Sequence, residues 1–163
     1  MTSTYSLEEL SDRMEIDQMY ARYIHVGDAG DIGELDKIFM PETILDYSSA
    51  GYDSQTWAAA RVSDLFKGNF FSYMFHFSGC ILLDFNADRS EAYAKSKMIN
   101  PSGFRDKETG EVKLFQVHGG YDDVLVKTES GWRFKERIWV HNWASGGFKS
   151  YAGMMEMLED KPE

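Results

Sequence analysis

From Leu7 onward, apolar side chains recur every three or four positions through Leu10, Met14, Ile16, Met19, Tyr20, Tyr23 and Ile24. That spacing lays them along one stripe of a helix. Ser6, followed three positions later by Glu9, has the form of a capping box, and the turn-rich run from Gly27 to Asp31 predicts the helix end near Gly27. Asp31 is placed to cap a short second helix carrying Leu35, Ile38 and Phe39, which Pro41 stops. A brief strand is expected over 43–48. A third helix, capped by Asp53 or Ser54, is expected to run through Trp57, Ala58, Arg61, Val62, Leu65 and Phe66 to a stop near Gly68 and Asn69.

Beyond residue 70 the period changes. Segments 73–85, 91–99, 112–127 and 131–143 are rich in β-branched and aromatic residues and read as strands. The stretches between them, 86–90, 107–110 and 128–131, carry turn residues. Helices followed by a run of antiparallel strands predict an α+β domain: a cone-shaped barrel in which N-terminal helices pack on a curved, mostly antiparallel sheet, closed at one end and open at the other. Neither repeats nor linkers interrupt the pattern, so residues 1–163 are expected to form a single domain with a flexible tail after about 158.

Composition narrows the class. With 163 residues, 43% of them hydrophobic and 15% aromatic, the chain can bury a sizeable core but not two. A formal charge of −10 opposes the basic footprint that a phosphate backbone requires, so no nucleic-acid partner is expected. Cys80 is the only cysteine, which excludes an internal disulfide and fits a reducing compartment. The N-terminal residues lack the basic start and apolar run of a signal peptide, and no apolar stretch reaches membrane-spanning length. A cytoplasmic location without membrane attachment is the expectation.

The candidate chemistry centres on Asp28 and His76. Asp28 follows the last turn of the first helix, where the helix dipole disfavours a carboxylate by roughly half a kcal/mol. His76 is set among aromatics in a predicted strand, sharing a face with Met74 and Ser78. Taken singly they read as a turn residue and a core histidine. Together they can make a carboxylate-oriented imidazole, a base suited to proton abstraction near neutral pH. Tyr23 and Tyr47 can supply phenol donors to a carbonyl, an enolate or a leaving hydroxyl. Asn100, His118, Tyr121 and Trp139 are expected to line the same cavity, whose apolar wall would include Phe70, Phe71, Phe75, Phe77, Phe115 and Trp143. His25 and His141 read as surface or loop residues. A metal triad can be drawn from His76, His118 and Asp28, but the close ligand pair that usually anchors one is missing, and no metal is expected. With no glycine-rich phosphate loop and no nucleophile elbow, no cofactor is expected either. The methionines between 154 and 157 are expected to pack on the sheet mouth or a partner subunit. The segment 144–158 can form a lid hinged at Gly146 and Gly147.

The order of elements resembles the SnoaL-like branch of the nuclear transport factor 2-like (NTF2-like) superfamily, which includes scytalone dehydratase, bile acid 7α-dehydratase and lindane dehydrochlorinase. The resemblance rests on the helix ending in Tyr23 and Asp28-Ala-Gly-Asp31, on Leu45-Asp-Tyr-Ser48, on His76-Phe-Ser-Gly79 and on Gly131-Trp-Arg-Phe134. It implies that Asp28 and His76 occupy the positions of the family's Asp/His dyad, with Tyr23 and Tyr47 in those of its tyrosines. Departures at Gly27, Asn100, Gly119 and Tyr121 argue against scytalone itself as the substrate. The implied function is a cofactor-independent lyase acting on a hydroxylated aromatic or polycyclic small molecule, releasing water, halide or a small aldehyde. An isomerase or polyketide-type cyclase using the same dyad, and a non-catalytic ligand-binding or assembly module, are the alternatives. The resemblance also implies a homodimer or homotrimer.

Overall fold

Helix α1 (Leu7–Ala29) starts where the Ser6 hydroxyl accepts the Glu9 backbone N–H at 3.1 Å, and it stops at Gly30 in the left-handed conformation, φ 73°. Its inner stripe buries Ile16, Met19 and Tyr20 against the sheet. The computed structural model describes residues 4–62, 71–106 and 109–146. A single turn of helix, α2 (Ile32–Leu35), leads into β1 (Phe39–Asp46). A 3-10 turn at Ser48–Ala50, a two-residue strand β2 (Gln55–Thr56) and helix α3 (Trp57–Val62) follow. The remaining strands are β3 (Phe71–Met74), β4 (Phe77–Phe85), β5 (Glu91–Arg105), β6 (Val112–Thr128) and β7 (Gly131–Ser145).

The strands form one sheet in the order β2, β1, β7, β6, β5, β3, with β4 also on β5. Among the described strands only the β1–β7 pair is parallel. The long central strands coil around α1, giving the curved α+β cone that the sequence predicts. One apolar cluster, built on Ile16, Tyr20, Phe39, Trp57, Leu125, Trp132 and Phe134, fills the closed end. A second, with Met98, Phe104, Phe115, Val117, Tyr121 and Trp139, lines the open half.

Several expectations change in detail. Phe39 belongs to β1 rather than to the second helix, and the β1–β7 register shifts between Phe39 and Ile44, next to Pro41, which cannot donate to a ladder. The expected strand 73–85 is two strands. β3 pairs with the C-terminal half of β5 and β4 with its N-terminal half, so the chain breaks at Phe75 and His76 as it steps along the same edge. β5 continues past Ile99 through Pro101 to Arg105. The predicted continuation of the third helix through Leu65 and Phe66, Phe70 in the cavity wall, the methionines after 153 and the lid all lie outside the described residues, apart from the lid's first residues, of which 144 and 145 end β7 and 146 follows it. No described helix is long and apolar enough to cross a membrane.

Candidate active site

The break between β3 and β4 presents His76 to the C-terminal turn of α1. One carboxylate oxygen of Asp28 accepts the His76 backbone N–H at 2.9 Å, and the other meets ring Nδ1 in a short contact. Asp28 therefore holds both the backbone and the imidazole, and both side chains are largely shielded. A carboxylate only accepts, so Nδ1 carries a proton, and in the neutral ring Nε2 is the nitrogen with the lone pair. On that side Asn100 Nδ2 lies 2.8 Å from Nε2, and the Ser102 hydroxyl donates to Asn100 Oδ1 at 2.6 Å.

His76 and Asn100 open onto a cavity of about 240 Å³ that Tyr23, Tyr47, Tyr52, Tyr121, Phe71, Met74, Met98, Val117 and Trp139 also line. In the same lining, the Tyr23 and Tyr121 hydroxyls are 3.1 Å apart, and the Tyr47 and Tyr121 rings meet edge to face. Burial pushes the Tyr47 and Tyr121 phenols well above their ordinary range and the charge of a neighbouring phenolate would add to this, while the Arg137 cation works the other way. These groups stay protonated and serve as hydrogen-bond donors.

Arg137 lies beneath them with no exposed surface, its guanidinium carbon 4.3 Å from the Tyr23 ring centroid, 4.0 Å from Tyr121 and 3.9 Å from Phe134. Its fork donates to Asp123 at 2.8 and 2.9 Å, and Tyr20 donates to the same carboxylate. Burial disfavours the arginine's charge, but the adjoining Asp123 outweighs it and holds the guanidinium firmly protonated. Nη1 has no hydrogen-bond partner among the described residues.

The structure thus brings Asp28, His76, Tyr23, Tyr47, Asn100, Tyr121 and Trp139 together around one cavity. His118 does not join them. It faces the other side of the sheet, stacked on Trp143 with ring centroids 4.0 Å apart. Val117 and Tyr121 lie on the inward face of β6 by simple alternation, which leaves His118 on the opposite face. Phe75, Phe77 and Trp143 likewise point to solvent rather than into the cavity wall. Sequence reasoning missed Arg137. On strict alternation from Trp132 and Phe134 it would face outward, but the shift opposite Val124 and Leu125 turns it in. Asp123, on the inward face of β6 with Tyr121 and Leu125, was the available sign that a buried cation was needed. Among the described residues no His, Cys, Asp and Glu group is arranged to hold a metal ion.

A SnoaL-like domain matches residues 8–138. The chain belongs to the SnoaL-like family. An uncharacterized protein of Mycobacterium tuberculosis strain H37Rv is 31% identical to this SnoaL-like chain over 140 residues, 83% of the chain and 89% of the relative. Among solved structures, a provisionally named scytalone dehydratase from Novosphingobium aromaticivorans superposes with a TM-score of 0.74 at 22% identity, covering 87% of this chain and 93% of that one. A hexachlorocyclohexane dehydrochlorinase, LinA-type3 from Novosphingobium barchaimii, gives a TM-score of 0.71 at 14% identity over 88% of this chain and 96% of its own. At these identities the two structures share the fold with this SnoaL-like protein.

Proposed function

We propose that this protein is a cofactor-independent lyase acting on a small hydroxylated aromatic or fused-ring compound. The observation that carries the reading is the Asp28-oriented His76 imidazole sharing one apolar cavity with a tyrosine cluster. The dehydratase and dehydrochlorinase named for the two fold neighbours eliminate water and hydrogen chloride, which agrees with it.

In the proposed reaction, His76 Nε2 takes a proton from the carbon beside an activating carbonyl or electron-rich ring. The C–H electron pair becomes a C=C bond as the bond to the leaving group breaks. Tyr23 or Tyr47 donates a hydrogen bond to the departing atom, and the imidazolium returns its proton to a departing hydroxyl, completing water and restoring neutral His76. Arg137 supports the phenols as they meet the negative charge. A cavity of about 240 Å³ lies below the roughly 300–1,000 Å³ of pockets for drug-sized ligands, which favours the smaller members of the substrate class.

Phe77, Leu82, Tyr93, Ile99, Val140 and Trp143 are exposed on the strands. We propose that this surface is the contact of a homodimer or homotrimer.

The reading is tested by mass-resolved turnover of hydroxylated aromatic and fused-ring compounds with native protein, His76→Ala and Asp28→Asn. Loss of water, halide or an aldehyde by the native protein alone is the expected result. A product of unchanged mass would instead indicate an isomerase or cyclase, and equal binding by all three proteins without turnover would indicate a binding module.

A further inference from the structure

Both ring nitrogens of His76 have a protein partner. Asn100 Nδ2 sits 2.8 Å from its Nε2, and the Ser102 hydroxyl holds Asn100 Oδ1 at 2.6 Å. Hydrogen-bond polarity determines each assignment in this row. In the neutral ring Nδ1 donates to Asp28 and Nε2 is a lone pair; the group facing it must donate, so it is the amide nitrogen; the amide oxygen then turns to Ser102. Asn100 is 5% exposed and Ser102 is fully buried, so neither can exchange these partners for water at little cost.

Proton uptake reverses the requirement. Nε2 becomes a donor, and an amide NH2 in front of it would set donor against donor. The ring cannot readily turn away, because Asp28 holds Nδ1 with one oxygen and the His76 backbone N–H with the other. The amide can turn. Half a rotation about its last side-chain bond brings Oδ1 to Nε2–H and Nδ2 to Ser102 Oγ, and a hydroxyl accepts as well as it donates.

We infer that Asn100 and Ser102 form a two-position relay whose hydrogen bonds reverse direction with the protonation state of His76. Both are positioning residues: they act through the base. Nε2 has one lone pair, so a substrate hydrogen must displace the amide before transfer, and the amide returns oxygen first once the imidazolium has formed. The relay builds on the reading of His76 as the base, yet its behaviour on protonation requires no substrate and is tested without one.

The groups around the ring bear on the measurement. Asp28 from α1 is in direct contact with it; the Tyr23, Tyr47, Tyr52 and Tyr121 phenols and the Asp53 carboxylate line the same cavity; Met74 from β3 and Met98 from β5 are uncharged. All are retained in the variants below.

The experiment is a long-range proton–nitrogen correlation on full-length protein labelled with 15N-histidine, followed from pH 5 to 9 in native protein, Asn100→Leu and Ser102→Ala. It reads the pH at which the His76 ring nitrogens complete half their change. In the relay the amide serves both forms of the ring, and its bond from the charged donor is the stronger. Removing it therefore costs the imidazolium more, and the half-change in Asn100→Leu moves down by about one pH unit. Ser102→Ala removes one partner from each orientation and moves it by less than half as much. An amide locked with NH2 toward the ring would favour the neutral form alone. An upward move in either variant, or none in Asn100→Leu, would overturn the relay. Backbone amide spectra report folding; if Asn100→Leu does not fold, Asn100→Ala removes the same polar atoms with less bulk and must move the same way. Loss of the relay would leave the lyase reading standing, since that depends on turnover by His76→Ala and Asp28→Asn.

Discussion

Both carboxylate oxygens of Asp28 are committed to His76, one to the ring and one to the backbone N–H at 2.9 Å. The arrangement orients the base and ties the break between β3 and β4 to α1. In Asp28→Asn the amide keeps one acceptor but sets its NH2 against one of the two His76 donors, so the ring loses its oriented tautomer. The expected result is a fall in kcat of about 10²–10⁴-fold with a much smaller change in KM. Steady-state kinetics on any panel compound that turns over checks this. A large rise in KM at unchanged kcat would make Asp28 a binding residue instead.

Arg137 and Asp123 have fully buried side chains and depend on each other. Arg137→Met leaves the Asp123 carboxylate with only the Tyr20 hydroxyl among its present partners, and the expected loss of stability is about 3–5 kcal/mol. Replacing both, as Arg137→Met with Asp123→Leu, removes the unpaired charge and should be less damaging than the single change. Urea unfolding of the native, single and double variants measures the difference. A double variant less stable than Arg137→Met would show that the pair is more than a mutually dependent charge pair.

The architecture was legible because its signals are periodic. Ile16, Met19 and Tyr20 on one stripe of α1, and alternating residues along the later strands, carry their burial in their spacing. The pairing of Asp28 with His76 was also legible, through a resemblance rather than through periodicity. What spacing could not supply were the irregularities. Arg137 was overlooked because it lies beyond a register shift in the β6–β7 pair, which exchanges the faces of the residues after it, whereas His118 was assigned to the cavity against the plain alternation that puts it on the face opposite Val117 and Tyr121. The split of β3 from β4 escaped notice for a related reason, since Phe75 and His76 carry the same aromatic and polar character as the strands on either side.

Gly119 controls how close Trp139 comes to the β6 backbone. A Cβ there would lie 2.4 Å from the Val140 carbonyl oxygen and 2.5 and 2.6 Å from carbons of the Trp139 ring, so the neighbours must move. Trp139 lines the cavity, and its displacement alters the wall that a ligand meets. Gly119→Ala is expected to cost about 1–3 kcal/mol, as overpacking does, and to change the binding of ring-shaped ligands. Thermal unfolding and ligand titration read the two effects separately. Unchanged stability would mean that the strands separate without strain.

Far from the cavity, Asp12 fastens α1 to the closed end of the cone. Its carboxylate accepts from Lys127 Nζ at 2.6 Å, Trp132 Nε1 at 3.1 Å and Arg89 Nε at 3.2 Å. Burial alone would raise its pKa, but these donors outweigh burial and hold the carboxyl below the ordinary aspartate value. Its contribution to stability is therefore fully present above the unfolded-state pKa of about 3.9 and is lost as pH falls through the lower folded-state value. Asp12→Asn cannot serve the two cations as well and should cost about 1–2 kcal/mol at pH 7. Urea midpoints of native protein and variant, measured from pH 7 down to pH 2, are expected to converge as Asp12 takes up its proton. A gap that stays constant or widens toward acid would place the helix anchor elsewhere in the Lys127, Trp132 and Arg89 cluster.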